Sequence, residues 1–119
     1  MKMHEIIVKK SRFISYAAWV ASEEEAKAFI AKIAHAHPKA GHVAYAYVLQ
    51  NTARMKDDGE PRGTAGLPIY NVIMHRKLQN VVVAVVRYFG GTLLGKGGLI
   101  RAYGKAAGLA MEEMEEQNV

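Results

Sequence analysis

Two clusters of residues carry side chains and spacing that could do chemistry. The first is a glycine-rich loop set among cations. Gly90, Gly91, Gly95, Gly97 and Gly98 follow Arg87, enclose Lys96 and precede Arg101 and Lys105. Glycines leave backbone amides uncovered by side chains. A helix starting there aims its unpaired N–H groups and the positive end of its dipole back at the loop. With the cations, this makes a place for an anion, and the arginines suit the planar, bidentate contacts of a phosphate. The loop lacks both the Gly-Lys-Ser/Thr ending of a Walker motif and a dinucleotide fingerprint. The alternative, glycines that serve tight packing alone, stays open. The second cluster is Asp57, Asp58, Gly59, Glu60, Pro61 and Arg62. Its carboxylates could ligate a hard cation such as magnesium, or pair with Arg62 or Arg87 and organise the loop. We expect no bound metal and no cofactor.

Other reactive types are scattered. His42 stands alone, and His35 and His37 point apart on a helix, so a zinc site is not expected. Ser11, Ser15 and Ser22 lack the context of an activated nucleophile, and no catalytic residue is assigned. Tyr45, Tyr47, Tyr88 and Phe89 could stack on bases; at least two of the four are expected in the core.

The elements that position these residues follow from hydrophobic pattern. Residues 81–86 (VVVAVV) are apolar at every position, which suits a strand buried on both faces or at the centre of a sheet. Residues 4–8 and 12–20 read as two strands joined by a turn at 9–11. Ser22 with Glu25 is a capping-box signature, Glu23–Glu25 suit a first helical turn, and Pro38 ends that helix. Residues 42–50 alternate as a strand. Residues 51–63 are the longest polar stretch and are expected to form a mobile loop. A second helix spans about 66–77, with Leu67, Tyr70, Ile73 and Met74 as its apolar stripe. The last runs from about 98 to 116 and buries Leu99, Tyr103, Ala106, Ala110 and Met114. Gly104 and Gly108, one turn apart, would let it approach the sheet closely. The order ββαβαβα predicts an α+β fold. The expected form is a two-layer sandwich, with helices on one face of a mostly antiparallel four-stranded sheet.

Composition narrows the function. A chain of 119 residues, half of them hydrophobic, builds one domain with a real core. No apolar run approaches the roughly 20 residues of a membrane helix, and residues 1–10 have no signal-peptide core; a cytoplasmic location is expected. There is no cysteine, so disulfide and thiolate chemistry are excluded. The net charge is +5, with Glu112, Glu113, Glu115 and Glu116 forming an acidic end. Between Pro61 and Met111 there is no acidic residue, whereas Arg62, Arg76, Lys77, Arg87, Lys96, Arg101 and Lys105 all fall there. Such one-sign patterning favours an anionic partner: nucleic acid, a phosphorylated ligand or an acidic protein surface.

The strings DDGEPRGTAGLPI (57–69) and RYFGGTLLGKGGLIRAY (87–103) carry a resemblance. They are extended by KKSRFI (9–14), SEEEAKAFI (22–30) and HVAYAY (42–47) over nearly the whole chain. The chain resembles the N-terminal domain of the Impact family, whose bacterial members are the YigZ-type proteins. The resemblance implies a variant of the fold of ribosomal protein S5 domain 2. It implies a part in translation regulation, since eukaryotic Impact restrains an initiation-factor kinase by competing for its ribosome-associated activator. Bacterial relatives usually carry a ferredoxin-like domain after this one; the chain ends at Val119, so a single domain over 1–119 is expected. Two departures stand out: Arg62 where the family tends to have Ser, and Ala44 where it tends to have Cys. The expected function is a non-enzymatic module that binds RNA, the ribosome or a translation-associated protein through its basic, glycine-rich face. The alternative is an enzyme or sensor for a small phosphorylated ligand bound at the loop of residues 90–98.

Overall fold

The computed structural model describes residues 2–117, and side chains through residue 115. Five strands and three helices follow in the order β1 (His4–Val8), β2 (Ser11–Trp19), α1 (Glu23–Ala36), β3 (His42–Val48), β4 (Ala53–Lys56), α2 (Gly66–His75), β5 (Val81–Tyr88) and α3 (Gly95–Gln117). They form one sheet in the order β1-β2-β5-β3-β4, and every pairing is antiparallel. The α+β class and the central place of the 81–86 run are as the sequence predicts.

Two details are corrected. The first is a fifth strand. Residues 53–56 pair with β3 from Tyr45↔Lys56 to Val48↔Ala53, inside the stretch expected to be a mobile loop. The segment ARMK has no apolar alternation because it is an edge strand with Arg54, Met55 and Lys56 exposed. The second is the layering. α2 and α3 cover the face that carries Phe13, Ala44, Ala46, Val83 and Val85. α1 covers the opposite face, packing Ala26 and Ile33 over Ile14, Val82, Ala84 and Val86. Helices on one face alone would have left half of β5 in water. Its unbroken apolar run therefore demands the third layer, since successive side chains point to opposite faces.

Local chemistry sets the ends. Ser22 Oγ accepts from the Glu25 amide at 3.1 Å and the Glu25 carboxylate accepts from the Ala21 amide at 2.7 Å, so the capping box forms. α2 turns Gly66, Pro68, Ile69 and Ile73 inward, while Leu67 and Met74 stay exposed. The helix is rotated from the expected stripe because it wedges against β3, β4 and α3 together. α3 buries the expected set, joined by Ala102, Ala107 and Met111. Its glycines do not touch the sheet: a Cβ at Gly104 would meet Val72 of α2 at 3.9 Å, an ordinary contact. The β1–β2 hairpin closes on Lys9 and Lys10, both at positive φ (47° and 71°), the geometry of a tight two-residue turn. Gly90 makes that turn possible. A Cβ there would lie 2.1 Å from the Lys10 carbonyl carbon.

Candidate functional site

The acidic turn does not float in solvent. Residues 57–64 fold over the end of β5 and are pinned by their own carboxylates. Asp57 accepts from the amides of Gly63 (2.9 Å), Ala65 (3.1 Å) and Gly66 (2.9 Å), and so caps α2 in place of an N-cap side chain. Burial works against its charge, but the three amides and nearby Arg62 outweigh it and hold the Asp57 carboxyl below its usual range. Asp58, at positive φ, accepts from the Val43 amide at 2.7 Å and receives a bond from His42 Nδ1 on its carbonyl oxygen at 2.8 Å. These bonds, with β4, correct the expectation of mobility.

Glu60 is the centre of a buried polar cluster. Arg87 Nη1 donates to both Glu60 oxygens at 2.9 Å, and the Tyr103 hydroxyl donates to the same carboxylate. Arg87 Nη2 donates to Ser11 Oγ at 3.3 Å, which also accepts from the Gly90 amide at 3.1 Å. His42 Nε2 lies 3.5 Å from Glu60 Oε1. The Arg87 guanidinium sits 5.5 Å from the Phe13 ring centroid and 5.6 Å from that of Phe89, and its Nε has no partner. Burial, then the bond to Glu60, pushes the Tyr103 hydroxyl well above the ordinary tyrosine pKa, so it stays a donor. Glu60 and Arg87 are 7% and 5% exposed. Arg87 is thus corrected from phosphate ligand to one half of an internal ion pair, the alternative the sequence offered for the loop acids, because the strand that carries it is buried at that end too.

The other predicted residues reach solvent. α3 begins at Gly95, three residues earlier than expected, so Gly95, Lys96, Gly97 and Gly98 form its first turn. Gly91 and Gly95 have φ of 88° and 73°, in the left-handed region that favours glycine. Lys96, Arg101 and Lys105 are exposed, as is Arg62 on the neighbouring loop. The Arg101 side chain folds back over the first turn: its Nη1 lies 3.2 Å from where a Gly97 Cβ would be. Among the described residues none of these four cations, nor Lys9 or Lys10, forms an ion pair. Lys9, Arg101 and Lys105 converge on an apolar groove of about 170 Å³ between β1 and α3. A second hollow of about 240 Å³ lies between Glu60, Arg87, Leu93, Gly95 and Lys96.

No acidic residue occupies the first turn of α3, in contrast to the three glutamates that open α1. Cations gathered at a helix N-terminus oppose the dipole instead of neutralising it. Of the four aromatics, Tyr47 is buried, Tyr45 stacks on it at 6.2 Å, and Tyr88 is bonded to His37. Phe89 alone stands exposed beside the glycine loop, at 57%. No group of three or more metal-ligating side chains occurs among the described residues. Sequence reasoning missed Ser11, Tyr103, Lys9 and Lys10. Only the lysine pair in a two-residue turn left a readable signal.

Fold and face define a small α+β domain with a basic, glycine-rich surface at the start of α3. Residues 9–111 match the Impact N-terminal domain, and the chain belongs to that family. It is 49% identical over 106 residues to the IMPACT family member YvyE of Bacillus subtilis, covering 87% of this chain and 49% of that protein. It is 40% identical over 115 residues to the IMPACT family member YigZ of Escherichia coli, covering 92% and 56%. Among solved structures, a crystal structure of a hypothetical protein matches with a TM-score of 0.88 at 39% identity, over 93% of this chain and 56% of that one. The two-domain translational regulator Yih1 matches with a TM-score of 0.57 at 30% identity, over 89% and 45%. The chain spans about half the length of the relatives it matches.

Proposed function

We propose that this chain is a non-catalytic binding module connected with translation regulation. It acts in the cytoplasm and holds an anionic partner, RNA, the ribosome or an acidic translation-associated protein, on the face around the start of α3. The observation that carries this reading is the charge at that helix start. Lys96 and Arg101 stand on the first turns, which hold no acidic residue and where neither forms an ion pair, and Lys105, Lys9 and Lys10 extend the patch. Positive charge concentrated there is unfavourable in the free chain and is relieved by a bound anion. The likeness to the translational regulator Yih1 supports the biological setting. No helix among the described residues is long and apolar enough to cross a membrane. The small-ligand alternative is less well supported: the hollow beside Gly95 is about 240 Å³ and the Glu60 carboxylate lines it. Ligand pockets usually run to roughly 300–1,000 Å³, and a carboxylate repels a phosphate.

A generic single-stranded RNA tests the face as a polyanion. Affinity should fall steeply with salt, because each phosphate neutralised contributes roughly 0.7 to the slope of log affinity against log salt. Arg101→Ala with Lys105→Ala should lower that slope by about one to two units and leave thermal melting unchanged. RNA binding undetectable at about 50 mM salt would reject RNA and the ribosome as partners, and together with measurable affinity for a free sugar phosphate and none for an acidic protein segment it would reject the module in favour of the small-ligand reading.

A further inference from the structure

We infer that the groove between β1 and α3 is a docking site for an extended, acidic, amphipathic segment of a partner protein, which adds a strand to the free edge of β1. This inference rests on the reading of that face as one that holds an anionic partner, and it names the partner's class. Three observations meet there. First, the walls of the groove are almost wholly apolar, formed by Ile6, Val8, Leu94 and Ala102. Second, its rim carries Lys9, Arg101 and Lys105, all exposed. Third, one wall is an edge strand: β1 pairs with β2 alone, so the other side of its backbone is unpaired within the sheet. An unpaired edge is a template for an incoming strand, and pockets beside it select alternate side chains.

The geometry of the three agrees. Ile6 and Val8 point to the α3 side of the sheet, as their partners Phe13 and Ser11 do. Alternate side chains of an added strand would project on that same side, next to Ile6 and Val8 and over the groove. Apolar residues at those positions would fill it, and carboxylates before or after them would meet the three cations. RNA fits the rim but not the groove: a base there would bury its ring-edge polar groups against walls that offer no partner. A second copy of this chain fits the edge but not the rim, because its own β1 is flanked by Lys2 on one side and Lys9 and Lys10 on the other, and would set cations against the cationic rim in either direction of pairing. Ile7, 67% exposed on the other side of β1, would gain cover from an added strand.

The test uses a twelve-residue peptide with a central Val-Thr-Leu flanked by glutamates, a twin with lysines for the glutamates, and a single-stranded RNA, each titrated into the isotope-labelled chain. The acidic peptide should shift the amides of residues 4–8 together with those of Leu94, Gly98 and Ala102, and the lysine twin should not. Arg101→Glu with Lys105→Glu should weaken the peptide by about tenfold or more, as charge reversal at a complementary rim does. Leu94→Ser should weaken it by about fivefold while leaving RNA affinity within about twofold, since it removes apolar wall and no charge. Equal affinity for both peptides overturns the inference, as does RNA that shifts and competes for the same groove amides. So does a concentration-dependent dimer that the groove variant abolishes. RNA binding without peptide binding removes this inference alone; failure of both ligands removes the proposed function with it.

Discussion

Glu60 and Arg87 make each other's burial tolerable, and neither can be removed alone. Glu60→Gln should lower unfolding free energy by about 3–5 kcal/mol, because it strands the guanidinium in a site with almost no water. Glu60→Leu with Arg87→Met should recover much of that loss in urea denaturation; a single variant costing under about 1 kcal/mol would show the pair to be solvated instead. Two residues add a pH dependence. Burial, and then the charge of Arg12, hold His37 below the usual histidine range, and its ring bridges the hydroxyls of Tyr16 at 2.6 Å and Tyr88 at 2.7 Å. The unfolded chain therefore takes up that proton first. Stability is complete above the ordinary histidine pKa of about 6.5 and is lost as pH falls toward the lowered folded value. Asp57, also lowered, is complete above the ordinary carboxylate range of about 4 and is lost further down. Melting temperature should thus fall in two stages on acidification. His37→Gln should flatten the first, and a flattening of neither stage in that variant would place the titration elsewhere.

At the scale of elements, the glycines divide by what surrounds them. Gly90→Ala should destabilise by about 2 kcal/mol or more, since the added carbon collides with the backbone of the β1–β2 turn. Gly104→Ala should stabilise by about 0.5–1 kcal/mol, since the helix gains propensity and the carbon meets Val72 at contact distance. Equal effects at the two positions would contradict the packing described. The sequence puts Gly90 in a loop and Gly104 in a helix, but it does not say what an added carbon would strike, because the backbone beside Gly90 belongs to the β1–β2 turn and the side chain beside Gly104 to α2. The same limit explains what was legible. The run at 81–86 announced the central strand, and Ser22 with Glu25 announced the first helix, because pattern and cap are local. β4 was hidden because an exposed edge strand needs no apolar alternation. The need for cover on both faces was legible in the run at 81–86, but which helix supplies it was not, because helix placement follows from sheet order, which only long-range pairing defines. At the site, the exposed cations Arg62, Lys96, Arg101 and Lys105 were readable from charge; for Arg87 the sequence left open a phosphate or a loop carboxylate, and burial beside Glu60, 27 positions earlier, decides for the carboxylate.

At the scale of the whole molecule, charge is graded along α3. Its start is basic, while its far end holds Glu113, which bridges Lys2 at 2.8 Å and His4 at 2.6 Å, and Glu115, which holds Arg76 at 2.6 Å. Those two acidic residues tie the last helix to the first strand and to the end of α2, so the acidic end has a structural task besides any repulsion of an anionic partner. The order of strands has a different consequence, one for synthesis. The middle strand of the sheet, β5, is the last strand in the chain. During translation the β1–β2 and β3–β4 hairpins emerge first, each with an inner edge that only residues 81–88 can satisfy. Until then the growing chain carries two half-sheets with open edges, each competent to pair with a stranger. Chains stalled before residue 81 leaves the ribosome should be cut at once by a protease, and chains extended past residue 115 should resist it. Gradual protection across that interval would mean that the halves stabilise themselves. An abrupt gain would mean that neither half-sheet holds until β5 slides between them, so that the strand at the middle acts as the latch of the whole sheet.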